Sequence, residues 1–187
     1  YVAVQGPLWN SGGERGLYKS EDMGKTWDKI LDISENTGVT DIVMDPRNPD
    51  VLYCATYQRR RRVFTLINGG PESAIYKSVD AGITWEKLKN GLPAGDLGRI
   101  GLAVSPVNPD HIYAIIETPG YKGGVWRSVN RGGSWEKRSD YVSNSPQYYN
   151  RIYCDPVELN RIYSMDTYSR VSNDGRKSWK PLGNQYR

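Results

Sequence analysis

The octamer Ser78-Val-Asp80-Ala-Gly82-Ile-Thr84-Trp85 recurs along the chain. An Asp side chain in such a turn accepts hydrogen bonds from backbone N–H groups just downstream. Gly supplies a positive φ, and Trp gives the next strand a large apolar anchor. The octamer therefore predicts a tight turn between two strands. The other copies are Ser20-Glu-Asp22-Met-Gly24-Lys-Thr26-Trp27, Ser128-Val-Asn130-Arg-Gly132-Gly-Ser134-Trp135 and Ser172-Asn-Asp174-Gly175-Arg-Lys-Ser178-Trp179, the last with its glycine one position early.

A second turn repeats between the octamers. Asp45-Pro-Arg-Asn-Pro-Asp50 matches Ser105-Pro-Val-Asn-Pro-Asp110, and Asp155-Pro-Val-Glu-Leu-Asn160 is a looser copy. Proline together with Asn or Asp favours a turn between strands. The two turns alternate in units of about 50 residues, which leaves room for four antiparallel strands in each unit. The segments between the turns are β-rich and show no helical period.

Repeats of this kind predict an all-β propeller built from four-stranded antiparallel blades, with helix nearly absent. We expect one partial propeller over residues 1–187, with blades at about 1–31 (three strands), 39–89, 99–138 and 150–182. The first unit lacks its innermost strand, so about three and three-quarter blades are present. Propellers avoid open sheet edges by closing into a ring. The chain is therefore expected to be an arc of a larger propeller.

In its octamers the chain resembles the Asp-box (BNR-type) β-propeller repeat proteins, which include sialidases, xyloglucanases, a photosystem assembly factor and sortilin-type receptors. The resemblance is strongest to bacterial sortilin-like or glycosyl-hydrolase-like secreted repeat proteins. It implies a secreted, periplasmic or cell-surface location and a protein or peptide partner. It also implies a structural, non-catalytic role for the box residues, which are Ser20, Asp22, Gly24, Thr26, Trp27, Ser78, Asp80, Gly82, Thr84, Trp85, Ser128, Asn130, Gly132, Ser134, Trp135, Ser172, Asp174, Ser178 and Trp179.

Charge and composition argue against several classes of protein. The net charge is +4, from 25 basic and 21 acidic residues, and the four consecutive arginines Arg59–Arg62 account for most of the excess. A diffuse nucleic-acid footprint is therefore not expected. No apolar run is long enough to span a membrane, so direct membrane insertion is not expected either.

The cysteines and the single histidine argue against a metal site. Cys54 and Cys154 form neither a disulfide framework nor a metal-ligand spacing, and His111 is the one histidine. We therefore expect no cofactor. Under the repeat alignment both cysteines fall at packing positions, and both are expected to be buried thiols.

Binding is expected on the face opposite the octamers. In a four-stranded meander the octamers and the proline turns share one face, and the irregular loops lie on the other, where binding is usual. These loops are 6–16, 32–39, 58–72, 89–99, 117–123 and 139–149, and their candidate binding residues are Trp9, Arg59, Arg60, Arg61, Arg62, Tyr121, Tyr148 and Tyr149.

The run Arg59–Arg62 has two interpretations. Arginines can grip carboxylates, sulfates or phosphates of a ligand in a bidentate manner. Alternatively they lie on both faces of a long strand extension and pair with neighbouring acids of the same fold. The second interpretation is favoured.

Three functions remain open. The favoured one is a non-catalytic scaffold that binds protein or peptide through the irregular loops. A glycoside hydrolase would need two carboxylates about 5–10 Å apart across a cleft, with carbohydrate as the ligand. The third is a structural or assembly subunit of a larger complex. The acids available for a hydrolase lie in or beside the irregular loops and are Asp32, Glu35, Glu72, Asp96, Glu117 and Asp140.

Overall fold

The protein is an arc of four antiparallel sheets, described here from a computed structural model that covers residues 1–175 and 177–183. The predicted fold class is confirmed. Each sheet is called a blade below. Blade 1 contains β1 (Val2–Val4), β2 (Gly16–Lys19) and β3 (Asp28–Leu31); blade 2 contains β4 (Thr37–Asp45), β5 (Asn48–Arg62), β6 (Thr65–Asn68), β7 (Ile75–Ser78) and β8 (Glu86–Lys87); blade 3 contains β9 (Ile100–Val104), β10 (Ile112–Ile116), β11 (Gly124–Ser128) and β12 (Glu136–Ser139); blade 4 contains β13 (Arg151–Cys154), β14 (Ile162–Met165), β15 (Arg170–Ser172) and β16 (Lys180–Pro181).

Each complete blade is a meander, in which strands adjacent in sequence pair side by side. Blade 3 runs β9-β10-β11-β12 and blade 4 runs β13-β14-β15-β16. The innermost strands β4, β9 and β13 line up along the arc, and β1 packs beside β4. Blade 1 has three strands because nothing in the described residues pairs with the inner edge of β1.

The apolar cores lie between successive blades rather than within them. Alternate side chains of a strand point to opposite faces, so each blade contributes one face to each neighbour. Val39 and Cys54 pack against blade 1, Ile100 and Ile112 against blade 2, and Ile152 against blade 3. The stability of the arc therefore rests on contacts between blades.

The octamer tryptophans pack back onto the preceding blade. Trp135 is 5% exposed in the core between blades 2 and 3, and Trp85 and Trp179 are partly buried in the two other cores. Trp27 is 43% exposed, because no blade among the described strands covers that side of blade 1. With Val2, Val4, Glu14 and Tyr18 it lines an open cavity of about 520 Å³.

The two cysteines differ from each other. Cys54 is fully buried between blades 1 and 2, as expected, and burial raises the pKa of its thiol. Cys154 is only half-buried on β13, which corrects the expectation for that residue. Its strand lines a groove between the innermost strands of blades 2, 3 and 4, where a closed interblade core was expected. Neither cysteine forms a disulfide within the described residues.

The described residues contain neither a membrane-spanning helix nor a metal-binding cluster. None of those residues forms a helix long and apolar enough to cross a membrane. Among the same residues, no three His, Cys, Asp or Glu side chains are grouped so as to hold a metal ion. The one helical element in residues 1–175 and 177–183 is a single 3-10 turn at Pro119–Tyr121.

Candidate functional site

Each octamer closes a hydrogen-bonded turn around its Asp or Asn. The Asp80 carboxylate accepts the Thr84 N–H at 2.9 Å and the Thr84 hydroxyl at 2.5 Å. The buried Ser78 hydroxyl accepts the Gly82 N–H at 2.8 Å and donates to Asp80. Asp22 and Asp174 accept the same two bonds from the residue four positions on. Asn130 accepts the Ser134 N–H, and its amide nitrogen donates to the Ser134 hydroxyl.

The fourth residue of each box, directly after the Asp or Asn, has a left-handed backbone conformation. Its φ is 62° at Met23, 58° at Ala81 and 57° at Arg131. In the fourth box this position is Gly175, with φ of 65°. Its early glycine therefore meets a conformational demand that the other three boxes meet with residues bearing a Cβ.

The box aspartates are held ionised by their own turns. The backbone N–H and hydroxyl of Thr26 lower the pKa of Asp22 to about 2. The hydroxyl and N–H of Thr84 lower the pKa of Asp80 to about 2. Both side chains are half-buried, and the fully buried polar residue of this box is Ser78. A carboxylate in this state is poorly suited to donate a proton, so the geometry supports a structural role.

The proline turns lie on the same face as the boxes and are joined to them by charge. Arg47 contacts Asp45 at 3.1 Å and reaches Asp110 of the next blade at 2.8 Å. Arg131, within the third box, lies 3.4 Å from the buried Asp45. The Ala81 N–H donates to the Asp50 carbonyl at 2.9 Å. This face is therefore a repeated, internally satisfied surface.

On the opposite face the irregular loops meet each other across blade boundaries. The Gly12 N–H donates to the Glu35 carbonyl at 2.7 Å, and the Arg61 N–H donates to the Leu8 carbonyl at 2.8 Å. The Gly70 N–H donates to the Leu97 carbonyl at 3.0 Å. We call this surface the loop face; it comprises the six irregular loops given above. These bonds thus join loops 6–16, 32–39, 58–72 and 89–99 into one continuous surface.

The arginine run is positioned by β5, which continues past the body of blade 2. Arg59 is 8% exposed, and its guanidinium lies 5.4 Å from the Tyr148 ring centroid and 6.0 Å from that of Tyr57. Arg61 lies 5.9 Å from the ring centroid of Trp9. Cation–π contacts of this kind stabilise a guanidinium without neutralising its charge. Arginines and aromatic side chains therefore alternate on this surface.

The strand extension of the favoured interpretation is observed, because β5 continues to Arg62, but the expected ion pairs with neighbouring acids are not found among the described residues. Ten ion pairs join side chains in the described ranges, and none of them involves Arg59, Arg60, Arg61 or Arg62. The alternation of the four side chains over both faces of the strand is as expected.

Arg15 is a structural anchor of this face that the sequence did not reveal. It is almost fully buried, and its guanidinium donates to the carbonyls of Gln5, Pro7 and Asn10 at 2.5–2.9 Å. Burial, followed by the nearby charge of Arg60, lowers its pKa. This one side chain orders the loop that carries Trp9. The density of glycine in loop 6–16 was the only available signal.

The six candidate acids are mostly tied to the fold. Glu72 accepts hydroxyl bonds from Ser34 and Thr37 at 2.6 and 2.5 Å. Asp32 pairs with Lys29 and Asp140 with Lys137. Glu35 and Asp96 are exposed. None of these contacts joins two of the six carboxylates.

Glu117 is the candidate acid with a perturbed environment. Its carboxylate accepts the Asn68 carboxamide at 2.8 Å and the Arg99 N–H at 3.1 Å. Burial nevertheless raises its pKa, and the nearby charges of Arg99 and Arg59 only partly oppose this. Asn68 also contacts the Tyr57 hydroxyl. Glu117 is therefore the acid most closely integrated with the arginine and tyrosine cluster.

The remaining candidate tyrosines lie near one another. Tyr148 and Tyr149 are both exposed, with ring centroids 6.2 Å apart. The backbone of Tyr121 lies in the 3-10 turn, and its side chain falls outside the part of the protein that is described. The loop face thus brings together Trp9, Arg59, Arg61 and Tyr148, with Tyr149 at its rim.

A groove between the innermost strands was not anticipated from sequence. It has a volume of about 510 Å³. Asp41 and Arg151 are its charged lining residues, and Met44 and Cys154 are among its apolar ones. Asp41 accepts the Leu102 N–H at 3.0 Å, and burial raises its pKa. The Asp41 carboxylate therefore joins blade 2 to blade 3, which gives it a structural use.

Comparisons with known proteins agree with this architecture. Residues 17–30 match the family model of the BNR-Asp box repeat. The vacuolar protein sorting/targeting protein 10 of Colletotrichum graminicola is 30% identical over 93% of this chain and 12% of its own length. A xyloglucanase from a Paenibacillus species is 30% identical over 72% of this chain and 14% of its own length. The chain thus spans less than one sixth of the curated relatives named here.

A solved structure shares the fold. The crystal structure of the GH74 xyloglucanase from Xanthomonas campestris superposes with a TM-score of 0.66 over 99% of this chain and 31% of that one, at 23% identity. At this identity the likeness bears on architecture. The four hydrogen-bonded boxes, the interblade cores and these relatives agree, and the chain is an Asp-box β-propeller repeat protein.

Proposed function

We propose that this chain is a non-catalytic propeller scaffold that binds a protein or peptide partner through its loop face. One observation carries the proposal: Arg59 and Arg61 lie beside aromatic rings, and neither has an ion-pair partner in the described residues. Arg, Trp and Tyr are the residues enriched in the binding hot spots of protein interfaces. The loop face combines all three on a rigid frame.

The energetic state of Arg59 supports this proposal. Burying a guanidinium without an anion is costly unless a ligand or a ring compensates it. Tyr57 and Tyr148 provide part of that compensation. A carboxylate supplied by a partner would provide the rest, through charge-assisted hydrogen bonds. We place the whole protein outside the cytoplasm, as a secreted, periplasmic or cell-surface protein, in keeping with its resemblance to secreted repeat proteins.

We also propose that another blade, in the same polypeptide or in a larger assembly, covers blade 1. Support comes from the open cavity beside Trp27 and from the unpaired inner edge of β1. Propeller blades bury this side of the sheet against a neighbour. The binding function of the loop face does not depend on this contact.

A second function, glycoside hydrolysis, is favoured by two observations. The first is the 30% identity to xyloglucanases. The second is the raised pKa of Glu117, which suits a general acid. A hydrolase needs a second carboxylate across the cleft. The match covers only a small part of those enzymes' length, so we expect the second carboxylate to come from another part of the whole protein.

Two assays test the binding function against the catalytic one. Random dodecapeptides displayed on phage are selected on the immobilised protein. We expect the enriched peptides to bind about 10-fold more weakly to a Trp9→Ala, Arg61→Ala double variant and equally well to Ile83→Ser, which alters an exposed residue of a box. Selected peptides that ignore the double variant would refute the proposal. In parallel, the protein is incubated with xyloglucan and the release of reducing ends is measured. Release by the wild-type protein that is lost in Glu117→Gln would establish the catalytic function instead.

A further inference from the structure

A short hairpin stands out from blade 2 on the loop face. It consists of the end of β5 from Arg59, a turn at Val63 and Phe64, and β6. Phe64, the only phenylalanine of the chain, is 98% exposed, and Val63 is exposed beside it. Exposed apolar side chains at such a tip contribute nothing to the core and mark a site of interaction.

The hydrogen-bonding pattern of this hairpin shows which backbone groups of β6 do not bond to β5. The Gly69 N–H donates to the Gln58 carbonyl at 2.9 Å. In an antiparallel ladder bonded and non-bonded pairs alternate, so Arg60 and Ile67 bond to each other while Arg61 and Leu66 point outward. The outward N–H of Arg61 does bond to Leu8 on its side. The outward N–H and carbonyl of Leu66 therefore face away from β5 on the opposite edge.

That opposite edge of β6 is unpaired within the described ranges. Further along the chain, Leu97 occupies the position beside Gly70 and bonds to it. At Leu66, no described residue forms a backbone hydrogen bond with this edge of β6. An exposed strand edge of this kind is a template for an added strand.

The charge around this edge favours an acidic occupant. The four arginines lie on the neighbouring strand β5 and alternate over both faces of the hairpin, so both faces of an added strand would lie in their positive field, across β6. Glu117, the acid nearest this cluster, is already hydrogen-bonded to Asn68 and Arg99. Two copies of this hairpin pairing edge to edge would bring like charges together, which disfavours a second copy as the occupant.

We propose that β6 accepts an extended acidic segment of a partner protein as an additional strand, with the partner's carboxylates directed across β6 towards Arg60 and Arg62 and an apolar side chain on Phe64. This inference rests on the proposed binding function and specifies the chemistry of the partner. Main-chain bonds to Leu66 supply affinity, and the arginines supply the selection for acids.

The test uses two labelled dodecapeptides, one alternating Val and Glu and one alternating Val and Gln, measured by fluorescence anisotropy. We expect the Glu peptide to bind about 10-fold more tightly or better, and an Arg60→Gln, Arg62→Gln double variant to remove that preference. Equal affinity for the two peptides would overturn the acidic part of the inference.

The strand-addition part is tested with Leu66→Pro, matched by Leu66→Val. Proline removes an N–H that makes no bond in the fold, and it is tolerated on an edge strand. We expect Leu66→Pro to bind the Glu peptide about 10-fold more weakly and Leu66→Val to bind normally, with unchanged melting temperatures. Hydrogen exchange gives a readout on the unmodified protein, since the Leu66 amide should become protected when the peptide binds.

The outcomes separate the two levels of the proposal. Phage-selected peptides that depend on Trp9 and Arg61, together with an inert Leu66→Pro, would leave the binding function intact and refute strand addition. Failure of both peptide sets to bind would refute both. A dimer in sedimentation that Leu66→Pro abolishes would show that a second copy, and not an acidic partner, occupies the edge.

Discussion

The box face and the loop face are carried by the same strands, yet they treat polar groups in opposite ways. In a box, Asp80 and Ser78 satisfy donors within four residues of themselves. On the loop face, Glu72 and Arg99 bond to residues 38 and 48 positions away, and the arginine run is left without counter-ions in the described ranges. In the boxes, short-range hydrogen bonds that repeat from blade to blade stabilise the scaffold. On the loop face, which does not repeat, the arginines keep charges that a ligand could pair with.

The largest expected effect separates the faces by their tryptophans. Trp135→Ala should destabilise the protein by about 3–5 kcal/mol, because it empties the core between blades 2 and 3. Trp9→Ala should change stability by less than about 1 kcal/mol, since Trp9 is 56% exposed. Urea unfolding of both variants measures the difference, and similar losses would break the distinction between the faces.

Next in size is the loss of one box aspartate. Asp80→Ala should lower the melting temperature by on the order of 5 °C, because the Thr84 N–H and hydroxyl lose their acceptor. Peptide binding to the loop face should not change. Arg61→Ala should show the reverse pattern. A loss of binding in Asp80→Ala at constant melting temperature would contradict the structural role of the box.

Acid sensitivity should also divide the faces. The folded pKa values of Asp22 and Asp80, about 2, lie below the ordinary value of 3.8, so the stability they contribute is present above about pH 4 and is lost as the pH falls towards 2. In an Asp22→Asn, Asp80→Asn variant, built on the precedent of Asn130, the melting temperature should fall less between pH 5 and pH 2.5. Scanning calorimetry at several pH values measures this.

Glu117 provides the opposite sign as a control. Its pKa is raised in the folded protein, so its contribution to stability decreases as the pH rises through the unfolded value and beyond. Glu117→Gln should therefore leave the fall in stability below about pH 4 unchanged, and it should not lower stability at neutral pH through loss of charge. If Glu117→Gln changed the loss of stability at acid pH, that loss would arise on the loop face and not in the boxes.

The smallest expected effect is a gain. Ala81→Gly should stabilise the protein by about 0.5–1 kcal/mol, because the φ of 58° strains a residue with a Cβ and suits glycine, as at Gly175. Val79→Gly, at a box residue outside the left-handed region, should not stabilise. Chemical denaturation of the two variants makes the comparison, and a destabilised Ala81→Gly would show that the left-handed turn costs little.

The sequence predicted the scaffold better than the site, for a physical reason. The Asp-box bonds span at most four residues, so their residue types appear together in one octamer and announce a turn. The contacts of Glu117 with Asn68 and of Arg59 with Tyr148 depend on how neighbouring blades are placed. No local pattern encodes that placement, which is why counter-ions were wrongly expected for the arginines and why the role of Arg15 was not foreseen.

The uncovered tryptophan of blade 1 gives the protein a built-in optical signal. Trp27 is solvated, whereas Trp135, at the equivalent place in blade 3, is enclosed. An indole emits at longer wavelength in water than in an apolar core, so a surface that seats itself on blade 1 would shift the Trp27 emission to the blue. In a Trp9→Phe background, which removes the other exposed indole, this colour change would report the completion of the ring in real time and without a label.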